Sequence, residues 1–286
     1  MTETWIDRLP WDQLAPGKVD SDHLLTVKAA ALVEFNAHDY ADYLYKVFPD
    51  DAVFQEAIAQ WAEEEVLHGR ALGLWAKAID PDFDFDGAVT QFRTGYSLPQ
   101  EVEGSVRGSR AGELMSRCIV EVGTSSFYTA FARATEEPVL KKICARIAAD
   151  EFRHYKLFYV NLKRYLDEDQ IGRLKRVMIA AGRIQETEDD ELAYANYAAN
   201  GDRSLPYNRE IDGRSYLLRV YRLYGQEHID RAISMSFKAA GLKPHSSFAK
   251  ISSRVAFRLL KLRQRRMERA ALKDAANRDS GALRAA

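Results

Sequence analysis

The chain has 286 residues, 47% hydrophobic and 29% charged, and its 41 Lys and Arg against 42 Asp and Glu leave a net charge of -1. That balance excludes the disordered and fibrous classes, and without a basic surplus or a groove-reading motif it argues against nucleic acid as a partner. Its two cysteines, Cys118 and Cys144, form no CxxC pair, so neither a disulfide scaffold nor a thiolate metal module is expected, and a reducing cytoplasm is the natural setting.

Residues 1–20 form an N-terminal extension. Its first 18 residues carry acids and two Trp-containing polar clusters instead of a basic stretch before an apolar run, so no signal peptide is expected. Charges interrupt every apolar stretch early, so no spanning helix is expected either. From residue 21 onward, apolar residues at spacings of three and four predict helices over 21–47, 50–79, 108–134, 137–166, 168–187, 212–240 and 246–275, with almost no strand signal. The stretch 80–108, with Pro81, Pro99 and several glycines, separates two helical hairpins. It reads as the long crossover of a four-helix bundle over 21–166, with 167–286 as additional helices in an all-α fold.

Each hairpin carries one Glu in an apolar run on its first helix and a Glu-x-x-His on its second. Glu34 precedes Glu65 and His68, and Glu121 precedes Glu151 and His154. From Glu34 to Glu65 is 31 residues and from Glu121 to Glu151 is 30, a weak internal repeat of a hairpin. Residues three apart on a helix lie about 60° apart around the axis, so a carboxylate and an imidazole can reach one ion. Two such pairs with two facing glutamates are the ligand set of ferritin-like dinuclear carboxylate bundles. Four ionised carboxylates in a bundle interior repel one another and lose hydration, and two divalent cations cancel that charge. Oxygen and imidazole donors without thiolate suit iron, with manganese as the alternative. His38, Glu63 and Glu64 are further candidates, but only Glu65 lies three before His68.

Residues 115–166, and more loosely 24–78, resemble the soluble acyl-[acyl-carrier-protein] desaturases of the ferritin-like di-iron superfamily. The likeness is closest in Ile147-Ala148-Ala149-Asp150-Glu151-x-Arg153-His154 and in Trp61-x-x-Glu64-Glu65-x-x-His68-Gly69, where Trp61 stands at the family's Trp position. Leu67 departs from it, standing where the family commonly has Arg. The resemblance implies that Glu34, Glu65, His68, Glu121, Glu151 and His154 hold two irons. It also implies that Thr124 lies beside the dioxygen-binding face, where its hydroxyl can donate a proton. A hydroxyl bond to the backbone one turn back is the other expectation for Thr124. Metal-bound imidazoles usually donate their second N–H to a carboxylate, so Asp150 and Glu64 are expected to serve the histidine of the opposite hairpin, with Arg153 pairing one of those acids.

The function so implied is an O2-dependent oxidase, a desaturase of fatty acyl chains on a carrier protein or a closely related oxygenase. An N-oxygenase and a non-enzymatic iron-storage or metal-binding protein are the alternatives. No flavin or nicotinamide motif is evident, so electrons come from an external donor such as a ferredoxin, and a homodimer is expected from the family. Residues 250–269 hold eight Lys and Arg and one acid, with a stripe of Ile251, Val255, Leu259 and Leu262. The leading expectation packs that stripe on the bundle; docking of an acidic partner such as acyl carrier protein and contact with a membrane surface are the others. The cysteines are expected to be apolar filler, and Phe127, Tyr128, Phe152, Tyr155, Phe158 and Tyr159 to be core or tunnel lining.

Overall fold

The computed structural model describes residues 3–96, 104–186, 190–202 and 204–285; Pro99 of the expected crossover lies outside them. No strand occurs among the described residues, and the chain is helical almost throughout. Helix α1 spans Ser21–Phe35 behind an Asp20 cap, and α2 spans Ala37–Val47. Helix α3 (Ala52–Ile79) starts at Asp51, α4 (Phe85–Gly95) at Asp84 and α5 (Arg110–Ala134) at Ser109, and each cap side chain accepts a first-turn N–H. Helix α6 (Pro138–Asp169) has Pro138 in its first turn, where a missing N–H costs nothing. Helices α7 (Arg173–Glu186), α8 (Asp190–Asn200), α9 (Arg209–Leu223), α10 (Gln226–Ala239) and α11 (Ser247–Ala285) complete the chain.

Five differences from the sequence reading stand out. The helix expected over 21–47 breaks at Asn36, whose side chain bonds Asp39 and accepts from Arg93 Nε at 2.9 Å. Arg93 also donates to the carbonyl of Phe35 at 3.3 Å, so α4 caps the end of α1. The 80–108 crossover therefore contains a helix, α4, which its Asp- and Gly-rich start disguised as loop. The helix expected over 212–240 is likewise two, parted at Tyr224 and Gly225, where His228 Nδ1 accepts the Gly225 N–H at 3.0 Å. The short α8 was not expected at all. Finally, α6 runs to Asp169 and ends with Gln170 in the left-handed region at φ 49°, so the next helix starts at Arg173, not 168.

Cross-links fix how the long helices lie. Lys28 pairs with Asp80 at 2.5 Å, and Phe35 touches Gly69, so α1 and α3 are antiparallel. An added Cβ on Gly69 would lie 2.4 Å from the Phe35 nitrogen, so only glycine permits that approach. Ala111 meets Asp169 and Thr124 meets Glu151, making α5 and α6 antiparallel. Trp75 bonds Glu137 and Tyr165 bonds Asp51, which sets α3 against α6. Tyr128 reaches Glu34 and Tyr43 reaches Glu113, which sets α5 against the column of α1 and α2. Four antiparallel columns thus enclose one interior.

That interior is stratified. One apolar cluster holds Val27, Leu32, Leu72, Trp75, Phe131, Ile143 and Ile147. The other holds Leu44, Phe54, Ile58, Leu114, Ile119, Phe158 and Leu162. Between them the four columns carry the polar layer described next. Residues of α8 and α9 join the first cluster, and residues of α7 and α10 the second. Cys144 and Cys118 are fully buried, one in each cluster, as filler.

Candidate metal centre

All six residues singled out by the repeat meet in the polar layer. Their donor atoms form two groups, Glu34, Glu65, His68 and Glu151, and Glu65, Glu121, Glu151 and His154, with the atoms of each within 4.8 Å of one another. Glu65 and Glu151 belong to both. His68 Nδ1 lies 3.0 Å from Glu65 Oε2, 3.4 Å from Glu151 Oε1 and 3.7 Å from Glu34 Oε2. His154 Nδ1 lies 3.1 Å from Glu65 Oε1, 3.8 Å from Glu121 Oε2 and 3.9 Å from Glu151 Oε2. Both imidazoles thus turn Nδ1 inward.

Their outer nitrogens are held from across the interior. His68 Nε2 faces Asp150 Oδ2 at 3.2 Å, and His154 Nε2 faces Glu64 Oε2 at 2.8 Å. Each acid comes from the opposite hairpin, as expected, and Arg153 joins the two, reaching Asp150 Oδ1 at 2.5 Å and Glu64 Oε2 at 2.9 Å. Arg146 adds a 3.0 Å contact to Asp150. With Nε2 held by an acid, each ring can offer a lone pair at Nδ1 once that nitrogen releases its proton to an arriving ion. Thr124 donates to Glu151 Oε2 at 2.5 Å, closer than its 3.3 Å approach to the carbonyls of Val120 and Glu121, so its hydroxyl serves the cluster more than the helix. Trp61 packs edge-on against the His154 ring.

Three contacts were not foreseen in the sequence. Tyr128 donates to Glu34 Oε1 at 2.5 Å, and Arg117 donates to Glu121 Oε1 at 3.2 Å with its guanidinium 4.7 Å from the Trp61 ring. The third is the Arg93 cap on α1 beside Glu34. Arg117 is four residues before Glu121 and Tyr128 seven after it, so both share its helix face, and that spacing was the available signal. The spare candidates stay outside. His38 and Glu63 face each other at 3.6 Å on the surface, and with Glu64 they line an open groove of about 470 Å³ beside Tyr45 and Gln60. Of the aromatic residues near the ligand turns, Phe127, Tyr128, Tyr155 and Phe158 are buried, whereas Phe152 and Tyr159 are partly exposed.

A buried carboxylate with a purely structural role looks different. Glu137 is fully buried and accepts from Trp75 Nε1 at 2.8 Å, Leu140 N at 2.7 Å and Ala15 N at 3.0 Å, so both its oxygens have neutral donors. In the polar layer, Glu121 Oε2, Glu151 Oε1 and His154 Nδ1 are buried without a hydrogen-bond partner. Orphaned acceptors converging on one spot are what a missing cation leaves behind. The six residues therefore fit a pair of divalent ions.

The protonation pattern agrees. Burial pushes the Glu34 and Glu121 carboxyls well above the usual range, and the charges of Glu65 and Glu151 add to it. Burial also pushes Glu65 and Glu151 upward, but the facing imidazoles outweigh it and hold both below that range. His68 and His154 are opposed by burial, yet the surrounding acids keep both protonated far above the ordinary imidazole value. The upward shifts of two carboxyls and two imidazoles all favour added positive charge in the cluster, the sense in which bound cations act.

No protein-family profile and no curated protein matches the chain.

Proposed function

We propose that the chain is a ferritin-like dinuclear metal oxidase that binds two iron ions, with manganese as the alternative, and uses dioxygen as co-substrate. The observation that carries this reading is the sharing of Glu65 and Glu151 by two donor groups, each completed by a terminal glutamate and an imidazole pinned by an acid. Two redox-active ions in that position supply dioxygen activation and oxidation of an unactivated C–H bond. The chain supplies the rest. Asp150 and Glu64 hold the imidazole protons on Nε2, and Thr124 steadies Glu151 Oε2. The apolar clusters above and below keep water from the layer.

The resemblance of residues 115–166 and 24–78 to soluble acyl-[acyl-carrier-protein] desaturases supports a fatty acyl thioester on a carrier protein as substrate. An external donor such as a ferredoxin provides electrons, and a cytoplasmic homodimer belongs to the same reading. The test is anaerobic loading with ferrous iron, exposure to O2 under optical detection, and product analysis with acyl-carrier thioesters and a reduced donor. Wild type is expected to consume O2 and insert a double bond, while Glu121→Ala and His154→Ala lose iron and the optical change. Variants that bind as much iron and react as wild type overturn the assignment; a cage-sized particle that accumulates iron identifies storage instead.

A further inference from the structure

Most of the apolar stripe of α11 faces away from the other described residues. Phe248, Ile251, Val255, Leu259 and Leu262 recur at spacings of three and four, and each is between 47 and 64% exposed. At 100° per residue they form one outward band roughly 80° wide. The helix is anchored by its opposite side. Ala249 and Ser253 are buried, Ser253 bonds Asp230 at 2.6 Å, Lys261 bonds the Tyr221 carbonyl at 3.2 Å, and Met267 packs on the first apolar cluster. The exposed band is thus held in place by a well-fixed helix and is not the frayed side of a loose one.

Charge borders this band. Lys250, Arg254, Arg258, Arg265 and Arg269 are exposed and fall on one flank of it, and no acid occurs from Ser247 to Met267. Arg258, Arg265 and Arg269 have no ion pair or hydrogen bond among the described residues. The same design recurs on α7, where Leu174, Val177 and Met178 are exposed beside Arg173 and Lys175 while Ile179 and Ala180 face the interior. α7 touches the turn that leads into α11, where the Arg176 guanidinium lies against Gly241, and Phe248 at the start of α11 packs on Phe237 of α10. In a chain of net charge -1, this is an apolar band bordered by cationic side chains, with exposed Arg263 on its other flank and exposed Arg266 in line with it past Leu262.

We infer that α11, continued by α7, docks this protein on an anionic phospholipid surface. The chemistry of the band selects that occupant. A row of large aliphatic side chains along a straight helix enters the boundary of a bilayer, and a cationic flank lies among the phosphates. The inference is independent of the metal reading, since none of these residues touches the polar layer.

Co-sedimentation of the full chain with vesicles tests it, using phosphatidylcholine alone and phosphatidylcholine mixed with phosphatidylglycerol at physiological ionic strength. Wild type is expected to partition onto the mixed vesicles on the order of tenfold better than onto the neutral ones. Leu259→Ser with Leu262→Ser, and separately Arg258→Gln with Arg265→Gln, are each expected to weaken that binding several-fold. All four positions are exposed, so helicity and metal content should stay at wild-type values. Absence of binding to the mixed vesicles overturns the inference, as does binding unaffected by the leucine variant, which would be electrostatic adsorption only. A lipid-free dimer that the leucine variant converts to monomer also overturns it, by showing that a second copy covers the band.

Discussion

The Glu34–His68 and Glu121–His154 halves of the polar layer supply the same donor types at nearly the same spacing, yet they sit in different surroundings. Asp150, which holds His68, has 2% of its side chain exposed and two arginines upon it; Glu64, which holds His154, is 42% exposed at the floor of a surface groove. Glu34 receives a neutral phenol from Tyr128, whereas Glu121 receives a guanidinium from Arg117. Gly69 follows His68 because α1 presses on α3 there, while Tyr155, which follows His154, is buried and donates to the Met235 carbonyl. A repeated hairpin therefore delivers a near-symmetric donor set, and the neighbours leave the outer acid of one half buried and that of the other exposed.

Substitutions can break this comparison, and the shared carboxylates carry the largest effect. Glu151→Ala is expected to abolish binding of both ions, whereas Glu34→Ala or Glu121→Ala leaves one per chain, as read by metal analysis after anaerobic loading with ferrous iron. Gly69→Ala should come next, because its methyl must displace the Phe35 backbone beside Glu34; overpacking of this kind costs about 1–3 kcal/mol in denaturant unfolding. The outer acids sharpen the contrast between halves. Asp150→Asn should weaken metal affinity about 10–100-fold in a competition titration, and Glu64→Gln less, since water can replace an exposed partner. The smallest effect belongs to Tyr128→Phe, about 1 kcal/mol of stability with metal stoichiometry unchanged.

The sequence exposed most of this layer because the chemistry is written in short-range spacing. Glu-x-x-His fixes which faces of α3 and α6 turn inward, and the repeat fixes where Glu34 and Glu121 must lie, so the six residues and their cross-paired acids Asp150 and Glu64 could be read in advance. What eluded the reading depended on tertiary contact. Arg117 looks like any helical arginine until Trp61 and Glu121 close around it, and Asn36 continues a helical pattern until Arg93 captures its side chain and the Phe35 carbonyl. The α11 stripe had an ordinary amphipathic period. Periodicity says that one face is apolar, not that the other is the one that packs, and here Ala249 and Ser253 take the inner side.

The most direct test is anomalous diffraction at the iron edge from crystals loaded with ferrous iron. Two peaks per chain are expected between Glu65 and Glu151, about 3.5–4 Å apart, one toward His68 Nδ1 and the other toward His154 Nδ1. A single peak, or peaks away from these six side chains in fully loaded crystals, would contradict the dinuclear centre.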